Sequence, residues 1–149
     1  MAATLHSALM GAAEALKTAG VEDPALDARI LLAHATGVAR DGLTLHLPDE
    51  MSADAQVALA GYIARRVAHE PVAKIVGQRG FWGRDFMVTA DVLDPRPETE
   101  TLVAEALNGP TPKKILDMGT GSGILAITLL SEWPEAHAVA TDISDLALA

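Results

Sequence analysis

The 149-residue chain is 50% hydrophobic but only 3% aromatic, so its core must be built from Ala, Leu, Ile and Val. A formal net charge of -9 excludes a broad basic surface for non-specific nucleic-acid or membrane binding, leaving at most a local basic spot. There is no cysteine for a disulfide or thiolate metal site, no bilayer-length apolar run and no secretory pattern in Met1-Ala-Ala-Thr-Leu-His6, so a cytoplasmic location is the expectation.

Thr4 is placed to cap a first helix with Leu5, Leu9, Ala12, Ala13 and Leu16 at helical spacing, and Gly20 stops it. Asp23-Pro24 opens a second helix whose expected inner face is Leu26, Ile30, Leu31 and His34, with Gly37 at its end. Leu43, Leu45 and Leu47 predict a short helix closed by Pro48. Ser52 caps a longer one through about His69, with Val57, Ala60, Ile63, Ala64 and Val67 expected inward. These helices predict a small antiparallel bundle over residues 1–70 that folds on local contacts.

Glu70-Pro71 breaks the helical pattern. Val72 to Val76, a turn at Gly77-Gln-Arg-Gly80, and Phe81 to Val88 predict a β-hairpin, giving a linker over 71–90. Phe81, Trp82 and Phe86 gather there, and two readings stand: a substrate wall, or a hydrophobic plug joining two lobes. In Val92-Leu-Asp-Pro-Arg-Pro-Glu-Thr-Glu100, the prolines stiffen the chain around Arg96. A helix then runs to about Leu107 with Glu98 and Glu100 near its positive end. Asp85, Asp91 and Asp94 read as solvated acids. The five histidines share no metal-ligand spacing, so no metal site is expected.

Residues 91–149 predict an α/β domain. Lys114 to Met118 reads as a short buried strand, followed by glycines at 119, 121 and 123, then by a helix opening near Ser122 and carrying Ile124, Leu125, Ile127, Leu129 and Leu130. A second strand, Ala136 to Ala140, ends in Thr141-Asp142. Strand, glycine turn and helix present backbone N–H groups to a nucleotide-like ligand, and an acid about 20 residues on suits ribose hydroxyls. The glycines alternate instead of following Gly-x-Gly-x-x-Gly, and no Gly-Lys-Ser/Thr ends the loop. Asp117 beside the turn would repel a pyrophosphate and suit a cation. S-adenosylmethionine fits; a nicotinamide dinucleotide, or a turn that merely packs a helix on a strand, are the alternatives.

Several stretches together resemble a known family: Gly77 with Phe81-Trp82, Leu93-x-Pro-Arg-Pro-Glu-Thr-Glu100, Ile115-Leu-Asp-x-Gly-Thr-Gly-Ser-Gly123, Thr141-Asp142-Ile-Ser144, and Asp27-Ala-Arg-Ile-Leu-Leu32. They resemble the protein-(glutamine-N5) methyltransferases of peptide chain release factors, the HemK/PrmC family. Asp94 departs from the apolar residue usual there. The resemblance implies an α-helical bundle that contacts the release factor, a β-hairpin linker and the first part of a Rossmann-like seven-stranded methyltransferase domain. It implies that Gly119, Thr120, Gly121, Ser122 and Gly123, with Asp117, hold S-adenosylmethionine. Asp142 would hold the ribose, with Arg96, Glu98 and Thr99 bordering the pocket. It implies neither nucleic acid nor membrane as a direct partner.

The family's catalytic Asn-Pro-Pro-Tyr does not occur in the 149 residues, and Ser144 to Ala149 reads as the opening of a helix without a stop. A truncated, inactive polypeptide is therefore expected, with no catalytic residue of its own. Its two strands would leave open edges, so the C-terminal portion is expected to be poorly ordered, swapped with a neighbouring copy or paired edge to edge. A methyltransferase of another substrate class, and a non-enzymatic helical interaction module, are the competing functions.

Overall fold

The computed structural model describes residues 3–89, 92, 96 and 98–148. The chain forms two compact units, Met1–Val76 and Gly77–Ala149.

The first unit is helical: α1 (Leu5–Thr18), α2 (Pro24–Thr36), α3 (Leu43–His46), α4 (Ala53–Val67) and α5 (Val72–Val76). Its helix starts follow from local chemistry. Thr4 Oγ1 accepts from Ser7 N at 3.2 Å and Ser52 Oγ from Ala55 N at 3.2 Å, each cap worth about 1 kcal/mol. The Asp23 contact with Leu26 N is long, 3.5 Å, so Pro24 at the first helical position does more to start α2. Gly37, left-handed at φ 71°, ends it. Leu16, Leu31, Leu32 and Leu43 are fully buried at the centre.

Two inner faces differ from expectation. On α2 the buried residues are Ala28, Leu31, Leu32 and Ala33, while Leu26 is half exposed and His34 lies outside. On α4 the inner row is Ala55, Leu59, Tyr62 and Ile63; Val57 is 75% exposed, and Ala60, Ala64 and Val67 are also exposed. Polar pairing explains the rotation. Arg66 Nε donates to Asp27 Oδ2 of α2 at 2.7 Å with both side chains largely covered, and Tyr62 packs on the His34 ring at 5.2 Å. A face scored by apolar residues alone misses these cross-helix partners.

Val72–Val76 is a turn of helix and not a strand. Pro71 O accepts from Lys74 N and Ile75 N, and Ile75 is buried with the bundle's core. Five apolar residues carry too little periodicity to separate a buried helix from a strand, and Pro71 tips the choice.

The second unit opens with the antiparallel hairpin β1 (Gln78–Phe81) and β2 (Arg84–Met87). Its turn is Trp82-Gly83, with φ of 50° and 71°, the doubly left-handed pattern that matches strand twist. The turn therefore lies four residues later in the chain than the expected Gly77–Gly80. Phe81 and Phe86 meet edge to face at 6.3 Å and are buried with Val103 and Ile124. The hairpin aromatics are thus this unit's own core, and none lines the cleft described below.

After α6 (Glu98–Asn108) come β3 (Lys114–Met118), α7 (Ile124–Glu132) and β4 (His137–Thr141). β3 and β4 pair in parallel, Lys114 opposite His137 through Met118 opposite Thr141, with α7 as the crossover. β3 has the expected bounds but is not buried: Leu116 and Met118 are 64% and 77% exposed, and Val139 of β4, opposite Leu116, is 62% exposed. In a two-stranded sheet, α7 covers residues of alternating orientation on one side only. The expected prolines at 95 and 97, together with Asp91 and Asp94, lie outside the described residues. Among the described residues no helix is long and apolar enough to cross a membrane.

Candidate functional site

The C-terminal ends of β3 and β4 lead into one open cleft of about 300 Å³. Val92, Thr99, Asp117, Gly119, Thr120, Gly121, Ser122, Ile124, Leu125 and Asp142 line it.

All three turn glycines are left-handed, with φ of 76°, 55° and 74°. A Cβ on Gly121 would also lie 3.3 Å from Val92 Cγ1, and one on Gly123 would lie 3.1 Å from Ile127 Cδ1. Gly119 has no such neighbour within 4 Å. The alternation thus serves conformation throughout and close packing at two positions.

The turn is tied to the end of β4. Gly119 N and Thr120 N both donate to Thr141 O, at 2.7 and 2.9 Å. Gly121 N donates to Asp142 Oδ2 at 2.8 Å, and Ser144 N to Asp142 Oδ1 at 2.9 Å. Gly123 N donates to Thr120 O at 2.9 Å. Asp117 Oδ2 accepts from Thr120 Oγ1 at 2.7 Å and from Ala126 N at 3.3 Å, bracing the turn against the start of α7. Four of the five amides from Gly119 to Gly123 are therefore occupied. Among the described residues the structure gives no acceptor to the amides of Ser122, Ile124 and Leu125.

The Ser144 amide, then the Gly121 amide, hold the Asp142 carboxyl below the ordinary aspartate range, outweighing the opposing effect of partial burial. Each of its oxygens accepts one backbone bond and keeps a second lone pair. The carboxylate is thus fixed in place and still able to accept from two hydroxyls.

Of the residues singled out by sequence, Asp117, Gly119, Thr120, Gly121, Ser122, Asp142 and Thr99 share the cleft. Gly123 stands behind it as the left-handed cap of α7. Arg96 and Glu98 are exposed near the start of α6, and neither is among the cleft's lining residues. Sequence reasoning passed over Val92, Ile124 and Leu125 as lining residues. The glycine spacing carries no signal for Val92: all three glycines are left-handed, and Gly119 has no neighbour within 4 Å.

Comparison with known proteins places both units. Residues 7–77 match the PrmC N-terminal domain and residues 89–149 the Methyltransferase small domain. The chain is 51% identical over 142 residues to a release factor glutamine methyltransferase of Cereibacter sphaeroides, covering 95% of this chain and 51% of that protein. It is 40% identical over 152 residues to one of Caulobacter vibrioides (100% and 53%) and 44% identical over 140 residues to one of Burkholderia pseudomallei (92% and 48%). The chain thus spans about half the length of the curated relatives it matches.

Proposed function

Because residues 7–77 match the PrmC N-terminal domain and residues 89–149 the Methyltransferase small domain, we propose that the activity is methylation of a glutamine side-chain nitrogen (N5) in peptide chain release factors. The methyl donor is S-adenosylmethionine, held in the cleft at the glycine turn. The observation that carries the donor assignment is the charge at the turn. Among the described residues the amides of Ser122, Ile124 and Leu125 stay free, so charge decides: two carboxylates, Asp117 and Asp142, face the cleft. A unit charge bound about 4 Å from a carboxylate gains or loses roughly 1–4 kcal/mol, depending on local dielectric. The sign favours a sulfonium and an ammonium and opposes phosphate.

S-adenosylmethionine supplies, when bound, a methyl group on a sulfonium whose departure leaves a neutral thioether. In this proposal Asp142 accepts the two ribose hydroxyls on its remaining lone pairs. Gly119 to Gly123, with Asp117, border the amino-acid end. Thr99 forms part of the wall. In the same proposal the helical unit contacts the release factor, the substrate class that the relatives' names give. The exposed Leu116, Met118 and Val139 support a companion proposal, association of copies through the sheet.

Nuclear magnetic resonance of the 149-residue polypeptide tests the donor reading. Added S-adenosylmethionine should move the amide signals of Thr99, Gly119 and Gly121; signals that stay in place would defeat it. Because the residues include no Asn-Pro-Pro-Tyr, the polypeptide by itself is expected to bind donor without turnover. Repeated methylation of a release factor by it would contradict that.

A further inference from the structure

The hairpin turn makes contacts that its role in the core does not require. Trp82 is a bulky residue at φ 50°, a conformation uncommon for any side chain but glycine, asparagine or aspartate. Three hydrogen bonds fasten this tip to two helices. Trp82 N donates to Glu100 Oε1 at 2.9 Å, at the start of α6. Trp82 Nε1 donates to Glu132 Oε1 at 3.1 Å, at the end of α7. Arg84 donates to Ser131 Oγ at 2.6 Å, and that hydroxyl donates on to Thr128 O at 2.6 Å, within the α7 backbone. Beneath the tip, Phe81 and Phe86 pack on Val103 of α6 and Ile124 of α7.

One of these anchors adjoins the cleft. Glu100 follows Thr99, which lines the cavity, and Ile124 lines it from α7. We propose that Glu100 is a positioning residue. Its carboxylate, gripping the main chain of the hairpin turn, sets the first turn of α6 and so holds Thr99 at the cavity wall. The cleft's shape on this side is then fixed by a hairpin that does not line it. The inference rests on the reading of the cleft as the donor pocket only for its binding arm.

The test compares Glu100→Ala and Glu100→Gln in the 149-residue polypeptide, with Val103→Ala as a control for stability alone. Glutamine keeps an oxygen acceptor for Trp82 N–H; alanine removes it. Two readouts are taken at a temperature chosen by circular dichroism so that each variant is folded: amide shifts and exchange at Trp82 and Thr99, and the Kd for S-adenosylmethionine. Glu100→Ala should speed exchange at Trp82, shift Thr99 and raise Kd roughly two- to thirty-fold. Glu100→Gln should restore both to within about twofold. Val103→Ala, buried in the same helix, should lower the Tm and leave Kd within the same margin. The proposal is overturned if Glu100→Ala leaves Thr99 and Kd unchanged, or if glutamine is as damaging as alanine. Should wild type fail to bind the donor, the donor reading falls and the Thr99 shift alone decides this one.

Discussion

Asp142 accepts from the Ser144 and Gly121 amides, which fix its orientation and, with a lesser contribution from the Ile143 amide, lower its pKa. The sign of the pH effect follows. A carboxyl with a folded pKa below its unfolded value stabilises the fold above the ordinary aspartate range, and the contribution is lost as pH falls through the folded pKa. The Gly121 amide shift, followed through an acid titration, should therefore turn at a pH below that range. In Asp142→Asn the step should vanish. Asp142→Ala should weaken S-adenosylmethionine binding roughly 10- to 100-fold, the effect of losing hydrogen bonds to a charged group. Gly121→Ala should cost about 1–2 kcal/mol from its left-handed backbone alone, with more from the crowding of Val92; urea denaturation reads it. At this scale the sequence showed which residues meet at the turn. It did not show that the amides of Gly119 and Gly121 are already spent, because their acceptors, Thr141 O and Asp142, lie more than 20 positions on and arrive only through the register of β4.

Single elements separate packing from exposure. Leu31→Ala, in the fully buried row of α2, should destabilise the helical unit by about 2–5 kcal/mol. Val57→Ser on α4, an outward change at 75% exposure, should stay within about 0.5 kcal/mol. A reversal of that order in chemical denaturation would contradict the inner face assigned to α4. The starts of α1, α2 and α4 were legible from Thr4, Asp23-Pro24 and Ser52, since caps act over three residues and need no tertiary partner. The face of α4 was not, because Arg66 turns inward only when Asp27 of another helix is there to receive it. The five residues of α5 were too few for a period, and the hairpin turn settled at Trp82-Gly83, where the expectation favoured the glycines before it. β3 was located correctly from its apolar run, but whether a strand is covered depends on its neighbours in the sheet.

The whole chain divides into a helical unit with its own core of leucines and a second unit that carries the cleft. Residues 1–76 expressed alone should give a helical spectrum and a cooperative unfolding transition, since their contacts close within the unit; a chain without such a transition would contradict the division. The fold class and family were readable because several separate stretches agreed with one another. The charge facing the cleft comes from Asp117 and Asp142 meeting there, which only three dimensions supply. On the proposed reading this cleft takes a cationic sulfur nucleoside and not a dinucleotide. Calorimetry of the 149-residue polypeptide with S-adenosylmethionine and with a nicotinamide dinucleotide, side by side and repeated on Asp142→Ala, tests it most directly. Heat is expected from S-adenosylmethionine only, with binding weakened roughly 10- to 100-fold in the variant; binding of the dinucleotide in its place, or binding indifferent to Asp142, would contradict it.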